Sequence, residues 1–427
     1  MGEIVGIKIG SYEFLSYKNT FGDLLTIFCP EDRCVKECTD DDGESYTCYS
    51  FITTVERAKK SLDCLGFTVE AARNSFDKSK QEEIEFLDEC FDAKHDQYDS
   101  KVVREKFTFD KWCTAAKRYA LMLSKDHFAY TKCQYKNLEK QRKRKDLSVA
   151  ERIVLDSLPF EDNEHFFGIY FEYTSRWEIF RVLLDAFEPN MQIVLDYTDL
   201  FNGGWCNEFP EDSDFSVQKT IILTEGKYDA DVISKSMQIL YPYMKKYYSF
   251  IDFSGANVQG STSFLTHYVK AFIGAGIQNR IIALYDNDAT GCSEIELLKT
   301  ISPPLNFRII TLPHIELAEN YPTIGPTKDE CVDINRKACS IELFLGRDVL
   351  TENGNLIPIM WKGYIDKIGT YQGEIIKKGE VQKKFNRKAE ATSINGIIDF
   401  EIWREMDLLL NTIFQAFINY EGEQKRK

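Results

Sequence analysis

An α/β architecture, a parallel sheet flanked by helices, is the fold that the middle of this 427-residue chain predicts. It stands between a helix-rich α+β region and a small C-terminal α/β extension. Two observations predict it. From Thr220 to Leu312, short apolar runs alternate with helix-patterned segments, as in βαβ units joined by right-handed crossovers. Acidic residues end these runs, at the sheet edge where parallel folds gather their ligand-binding groups.

The first run, Thr220-Ile221-Ile222-Leu223-Thr224, is short, apolar and β-branched, as expected of a strand buried on both faces. Glu225 ends it and Gly226 permits a tight turn. Ala230, Val232, Ile233, Met237 and Leu240 then form a helical stripe. A second run, Tyr248 to Ile251, ends at Asp252. The Gly255-Ala256-Asn257 turn leads into a helix expected over about Ser261 to Phe272. A third strand, Ile281 to Tyr285, delivers Asp286 and Asp288, followed by a helix near Thr290 to Lys299 and a strand from Phe307 to Leu312.

If the first and third strands are neighbours, Glu225, Asp286 and Asp288 meet. Three anionic groups that close repel one another unless a cation or a proton joins them. Side chains two apart on an extended backbone share a face, so Asp286 and Asp288 aim together. Oxygen ligands without nearby His or Cys favour Mg²⁺ or Mn²⁺ over zinc. Taken singly, each acid reads equally as a solvated loop residue; the ordered set is what points to chemistry.

The Glu-Gly-x-x-Asp strand end at Glu225 to Asp229, followed by the Asp-x-Asp strand end at Asp286 and Asp288, resembles a Toprim domain over about residues 218–315. This is the metal-dependent phosphotransfer module of topoisomerases, bacterial primases and overcoming-lysogenization-defect (OLD) nucleases. The resemblance implies Glu225 as general acid/base and Asp286 with Asp288 as the Mg²⁺ seat, Asp229 taking the supporting acidic position. Beyond the core, Ser340-Ile341-Glu342-Leu343-Phe344-Leu345 is similar to a segment that follows Toprim in the HEPN/Toprim-associated group. OLD-type enzymes add carboxylates after the Asp-x-Asp, which makes Glu342 the further metal candidate; an exposed helix glutamate is the alternative.

The opening region, residues 1–208, predicts a hairpin about Gly10-Ser11, helices from about Val55 to Asp156, a strand at Phe166 to Tyr173 and a helix from about Arg176 to Phe187. Within the helices, Phe86, Leu87, Cys90 and Phe91 recur at helical spacing, and Phe107, Phe109 and Trp112 read as core rather than as platforms for bases. Ser148 is placed to cap a helix. The hairpin, together with Leu195-Asp196-Tyr197-Thr198-Asp199-Leu200 and Gly203-Gly204-Trp205, resembles the amino-terminal domain attached to Toprim or HEPN domains in prokaryotic conflict systems. That resemblance implies an antiphage setting, with this region in sensing, assembly or substrate presentation.

Residues 316–427 are expected to complete the Toprim region and to end in a long amphipathic helix, Ile397 to Tyr420, suited to packing or to a homodimer. The net charge of −15 argues against coating nucleic acid by bulk electrostatics. Contact with DNA or RNA must therefore be local. Lys227 beside the acids, the cluster containing Arg142, Lys143 and Arg144, and the stretch from Lys377 to Lys388 with Lys383 and Lys384 are the candidates; solvated helix faces are the plainer reading of both clusters.

No run of eighteen apolar residues and no basic-then-apolar amino terminus occurs, so a soluble cytoplasmic chain with no membrane contact is expected. In that compartment the twelve cysteines are expected as reduced thiols. Cys29, Cys34, Cys38 and Cys48 lack the paired spacing of common zinc knuckles. No Walker-type Gly-x-x-x-x-Gly-Lys-Ser/Thr occurs, so nucleotide control would have to come from a sensor or ATPase partner chain. The HEPN-like Arg-to-His spacing, Arg308 to His314, lies in an expected strand with Pro313 before the His, which is wrong for a HEPN site. The expectation is a Mg²⁺-dependent nuclease, a phosphodiesterase acting on DNA or RNA in antiphage defence. The alternatives are a silent Toprim module that binds nucleic acid or a partner, and a nucleotidyl-transfer enzyme.

Overall fold

The computed structural model describes residues 2–39, 43–92, 98–125, 139–157, 175–211, 215–251, 261–298, 301–325 and 328–418. The chain divides into two compact units, Met1–Val217 and Gln218–Lys427. Among the described residues no helix is long and apolar enough to cross a membrane.

The first unit is an antiparallel sheet covered by helices. β1 (Ile4–Ile9) and β2 (Tyr12–Lys18) form the hairpin, turning at Gly10, whose φ of +61° suits a residue without Cβ. β3 (Arg33–Thr39), β4 (Ser45–Thr54) and β5 (Gln192–Asp196) complete the order β2-β1-β5-β4-β3. Among the described residues its α-helices are α1 (Val55–Leu65), α2 (Val69–Cys90), α3 (Ser100–Lys106), α4 (Phe109–Lys125), α5 (Val149–Ser157), α6 (Arg176–Leu183) and the short α7 (Thr198–Asn202).

Helix starts follow capping chemistry: Thr54 and Thr68 each accept a backbone N–H, and Ser148 pairs reciprocally with Glu151. Phe107, Phe109 and Trp112 are buried around Phe76, at ring distances of 5.1, 5.5 and 6.0 Å, and so belong to the core. The stripe expected at Phe86 to Phe91 is not the buried face. Leu87 is buried with Ile84, while Phe86, Cys90 and Phe91 are exposed, because α2 ends at Cys90 and its inner face runs through Phe76, Ile84 and Leu87. The strand expected at Phe166 to Tyr173 lies outside the described residues.

The cysteine expectation needs correction at one pair. Cys38 and Cys48 form a disulfide with Cα atoms 6.1 Å apart. The β3–β4 register sets Cys48 opposite Lys36 and Cys38 opposite Tyr46, so the two thiols are diagonal neighbours on one face, which a compartment argument cannot foresee. Cys29 and Cys34 are in no disulfide.

The second unit holds a parallel sheet, β10-β8-β6-β7, made of β6 (Thr220–Leu223), β7 (Tyr248–Phe250), β8 (Ile281–Tyr285) and β10 (Phe307–Thr311). Between them run α8 (Lys227–Leu240), α9 (Thr262–Gly274) and α10 (Ala289–Leu298). All five residues of β8 are buried, the pattern of a central strand covered on both faces. Asp252 and the Gly255-Ala256-Asn257 turn lie outside the described residues. A two-residue strand, β9 (Asn287–Asp288), pairs with β13 (Ala338–Cys339).

Downstream, β11 (Tyr321–Ile324), β12 (Glu330–Val332), β16 (Ile359–Ile365) and β17 (Thr370–Ile375) form a second sheet, and β14 (Thr351–Glu352) pairs with β15 (Asn355–Leu356) after the one-turn helix α11 (Arg347–Leu350). Two helices follow, α12 (Lys378–Asn395) and α13 (Arg404–Gln415). The final helix is shorter than the expected Ile397 to Tyr420. Gly396 at φ +65° stops α12, irregular backbone and then a turn at 400–403 precede α13, and residues 419–420 lie outside the described residues, so periodicity across 397–403 does not continue as one helix.

Candidate functional site: an acidic cluster at the sheet edge

β6 and β8 are neighbours, with Leu223 opposite Ala283, so their carboxyl ends rise together. Glu225 stands just past the end of β6 and Asp286 just past the end of β8. Their link is direct: the Asp286 backbone N–H donates to Glu225 Oε1 at 2.9 Å, and the Thr262 hydroxyl, at the start of α9, donates to Oε2 at 2.6 Å. Both oxygens of Glu225 are thereby oriented. Burial, against these hydrogen bonds, pushes its carboxyl up to about 7.

Asp229, in the first turn of α8, accepts the Gly226 N–H at 2.9 Å as its helix caps itself. Burial and the charges of Glu342 and Glu225 push it up to about 7 as well. The Asp286 carboxyl lies well above its ordinary range, through burial and then the charges of Glu225, Asp229, Asp288 and Glu342. Asp288 is 7% exposed and caps α10, accepting the Gly291 N–H at 2.7 Å and a hydrogen bond from the Gln372 side chain of β17. Burial raises its pKa in spite of those donors.

Glu342 arrives by the β9–β13 pairing. Ala338 lies opposite Asp288, and the chain then turns through Ser340 into a short 3₁₀ helix that carries Glu342. It is fully buried rather than an exposed helix glutamate. Ser340 donates to its Oε2 at 2.7 Å, while Gln382 and the Lys378 ammonium reach its Oε1, each at 3.1 Å. Burial works against the Lys378 charge, yet Glu342, Asp286 and Asp229 hold its pKa above the ordinary value.

Thr262, Gly291, Ser340, Gln372 and Gln382 carry no site expectation from the sequence, and Lys378 falls in the basic stretch expected to contact nucleic acid rather than to pair with the acids. Gly291 had a visible signal, a glycine just after the Asp-x-Asp. A Cβ there would stand 2.3 Å from the Asp286 carbonyl oxygen, so the residue must be glycine for α10 to start so close. The Tyr228 hydroxyl is also buried, has no hydrogen-bond partner among the described residues, and feels the charges of Glu342 and Asp229.

The structure brings together Glu225, Asp229, Asp286, Asp288 and Glu342. The proposed nucleic-acid contacts are more scattered in character. Arg142 donates twice to the Leu155 carbonyl, at 3.1 and 2.8 Å, and to Glu139, tying off the end of α5. Arg144 is paired with Asp146, and Lys384 donates to the Thr351 carbonyl. Lys143, Lys227 and Lys383 are exposed. Arg308 donates to the carbonyls of Leu305, Phe307 and Ala416, whereas His314 bonds Glu319, so each has its own structural employment and they build no HEPN-like pair.

As donors, the five acids fit a hard divalent cation in kind: oxygen ligands only, buried, and raising one another's pKa values. They are not a ready-made shell. Among the described residues no group of three or more His, Cys, Asp or Glu is disposed to hold a metal ion.

Comparison with known protein families adds a separate observation from the other end of the chain. The model of the HEPN/Toprim N-terminal domain 1 family matches residues 1–220. The chain belongs to that family. The HEPN/Toprim N-terminal match ends at the first residue of β6, so the acidic cluster lies beyond it. No curated protein and no solved structure matches the chain.

Proposed function

We propose that the Gln218–Lys427 unit is a Toprim-like, Mg²⁺- or Mn²⁺-dependent nuclease similar to the OLD enzymes, and that the protein is an effector of prokaryotic antiphage defence acting on DNA or RNA. The observation that carries this reading is the convergence of Glu225 with Asp286 and Asp288 on adjacent parallel strands, tied by the Asp286 N–H. Membership of the HEPN/Toprim N-terminal family supports a nuclease-type or defence-associated role.

Asp286 and Asp288 are the residues that would hold the metal, with Asp229 and Glu342 as further oxygen donors. When bound, the ion supplies Lewis-acid polarisation of the scissile phosphate and offsets charge on its oxygens. The chain's own contribution begins with Glu225. With its pKa near 7 it is divided between acid and base at neutral pH, and can exchange a proton with water or the leaving 3′-oxygen. Thr262 and the Asp286 N–H keep that carboxyl aimed. Lys378 moderates the negative charge of the cluster and holds Glu342 in place. Nucleotide control, on this reading, comes from a sensor or ATPase partner chain.

The test is incubation of the purified chain with labelled plasmid, single-stranded DNA and tRNA in Mg²⁺, Mn²⁺ or chelator. Divalent-dependent cleavage, lost in Glu225→Gln and in Asp286→Asn, is expected. Full cleavage by both variants would sink the assignment.

One observation favours a second reading, a catalytically silent Toprim-like module: among the described residues the acids form no ready-made metal shell. It predicts no turnover with either ion.

A further inference from the structure

Beside the acids, on the β10 side of the sheet edge, lies a pocket of about 390 Å³. Its position follows from the ladder. Thr311 is opposite Tyr285, and the Leu312 N–H donates to the Tyr285 carbonyl at 2.8 Å, so the segment lining the pocket is held one residue from Asp286. Asn287, between the two metal-seat aspartates, itself lines the pocket. Asn287 alternates with the two aspartates along the strand, so the hollow adjoins the acids across the β9 backbone, and Cys292 in its wall feels the Asp288 charge.

The lining has two characters. Ile295, Leu312 and Pro313 make an apolar surface suited to a flat ring. Polar groups surround it: Asn287, Thr311, Arg336, Glu296 and His314, the last already bonded to Glu319. Cys292, Ile295 and Glu296 come from one face of α10 by helical spacing. Arg336 is supplied by a residue at φ +64°, a left-handed backbone that non-glycine residues seldom adopt, and its side chain hydrogen-bonds the Cys292 thiol.

We propose that this pocket takes a nucleobase of the strand being cleaved, next to the scissile phosphate. Apolar walls with both donors and an acceptor suit a neutral heteroaromatic edge. A lone phosphate would use Arg336 but would face the Glu296 carboxylate and leave the apolar wall unfilled. The assignment deepens the nuclease reading and rests on it for the position of the strand, but base binding is measurable without cleavage.

The experiment uses the full chain in chelator with free ribo- and deoxyribonucleosides, which carry no phosphate for the acids. Saturation-transfer NMR reads binding, and peptide mass spectrometry follows alkylation of Cys292 by iodoacetamide. Binding is expected, with Cys292 shielded by bound nucleoside. Arg336→Gly, which suits the left-handed backbone, should weaken the affinity about tenfold through loss of a charged hydrogen bond. A preference between the two sugar series would tell RNA from DNA as the source.

Absence of nucleoside binding, or binding that neither shields Cys292 nor responds to Arg336→Gly, overturns the pocket assignment even if the enzyme cleaves. Shielding in a chain that never cleaves upholds the pocket while the nuclease reading fails.

Discussion

The Asp286 backbone N–H donates to the carboxylate of Glu225 across the β6–β8 pair, so the proposed proton carrier hangs on the strand that carries the proposed metal seat. The amide belongs to the backbone and survives any change of the Asp286 side chain. Glu225→Gln keeps an oxygen to accept it and removes only the titratable proton. Cleavage should fall about 10²- to 10⁴-fold, the usual worth of a positioned acid/base, with the circular dichroism and melting of the chain little changed. A rate within about threefold of the parent in single-turnover assays would assign Glu225 a structural task only.

The same cluster should make the metal-free chain sensitive to alkali. Burial pushes Glu225 from an ordinary 4.5, and Asp229 from 3.8, up to about 7. A carboxyl raised in the folded state binds its proton more tightly there than in the unfolded chain. Its contribution is complete below the unfolded pKa and is lost as pH rises through about 7. At about 1.4 kcal/mol per pK unit, Glu225 alone accounts for on the order of 3 kcal/mol. Melting in chelator should therefore decline from about pH 5 to about pH 8. Mg²⁺ at a hundred times its Kd should return about 2.7 kcal/mol at the upper end. Asp286→Asn should remove that metal increment and raise metal-free stability. A chelated chain that grows more stable over this range contradicts the cluster's electrostatics.

Much of the sheet is written in local pattern. The β6 run, the Gly226 turn and the α8 stripe can be read directly because a buried parallel strand and an amphipathic helix each have their own period. The company of Glu342 is different. It depends on two residues of β13 pairing with two of β9, too short a ladder to leave a period, and on Lys378 and Gln382, one turn apart at the start of α12. Lys378 looked like part of a basic surface because composition cannot say which lysine of a run faces a buried acid. Cys38 and Cys48 fail in the same way: an expectation about compartment says nothing of pairing, and register decides which thiols meet.

Lys378→Met isolates that buried partnership. Glu342 is fully buried, and its charge is balanced by an ammonium whose side chain is 44% exposed. Removing one partner of a wholly buried pair costs about 3–5 kcal/mol; with one end in water, about 2 kcal/mol is expected. Glu342→Gln in the same chain should recover most of the loss, since no uncompensated charge remains. The double-mutant cycle in urea measures the coupling, and additive effects would mean that Lys378 and Glu342 do not act as a pair.

Gly291→Ala tests the geometry from the other side. The added methyl would lie 2.3 Å from the Asp286 carbonyl oxygen, a backbone atom inside the sheet edge that cannot swing aside. The start of α10 must then shift, and with it the Gly291 N–H that donates to the capping carboxylate of Asp288. Overpacking of this kind costs about 1–3 kcal/mol. The more specific effect should appear in metal response. Asp288 loses its anchor, so the Mg²⁺-induced rise in melting temperature should shrink more than in the adjacent control Thr290→Ala, whose side chain is not the cap. Melting curves with Mg²⁺ and with chelator provide the comparison. Equal metal stabilisation in Gly291→Ala and the parent would show that the close approach of α10 to Asp286 does not set the position of Asp288.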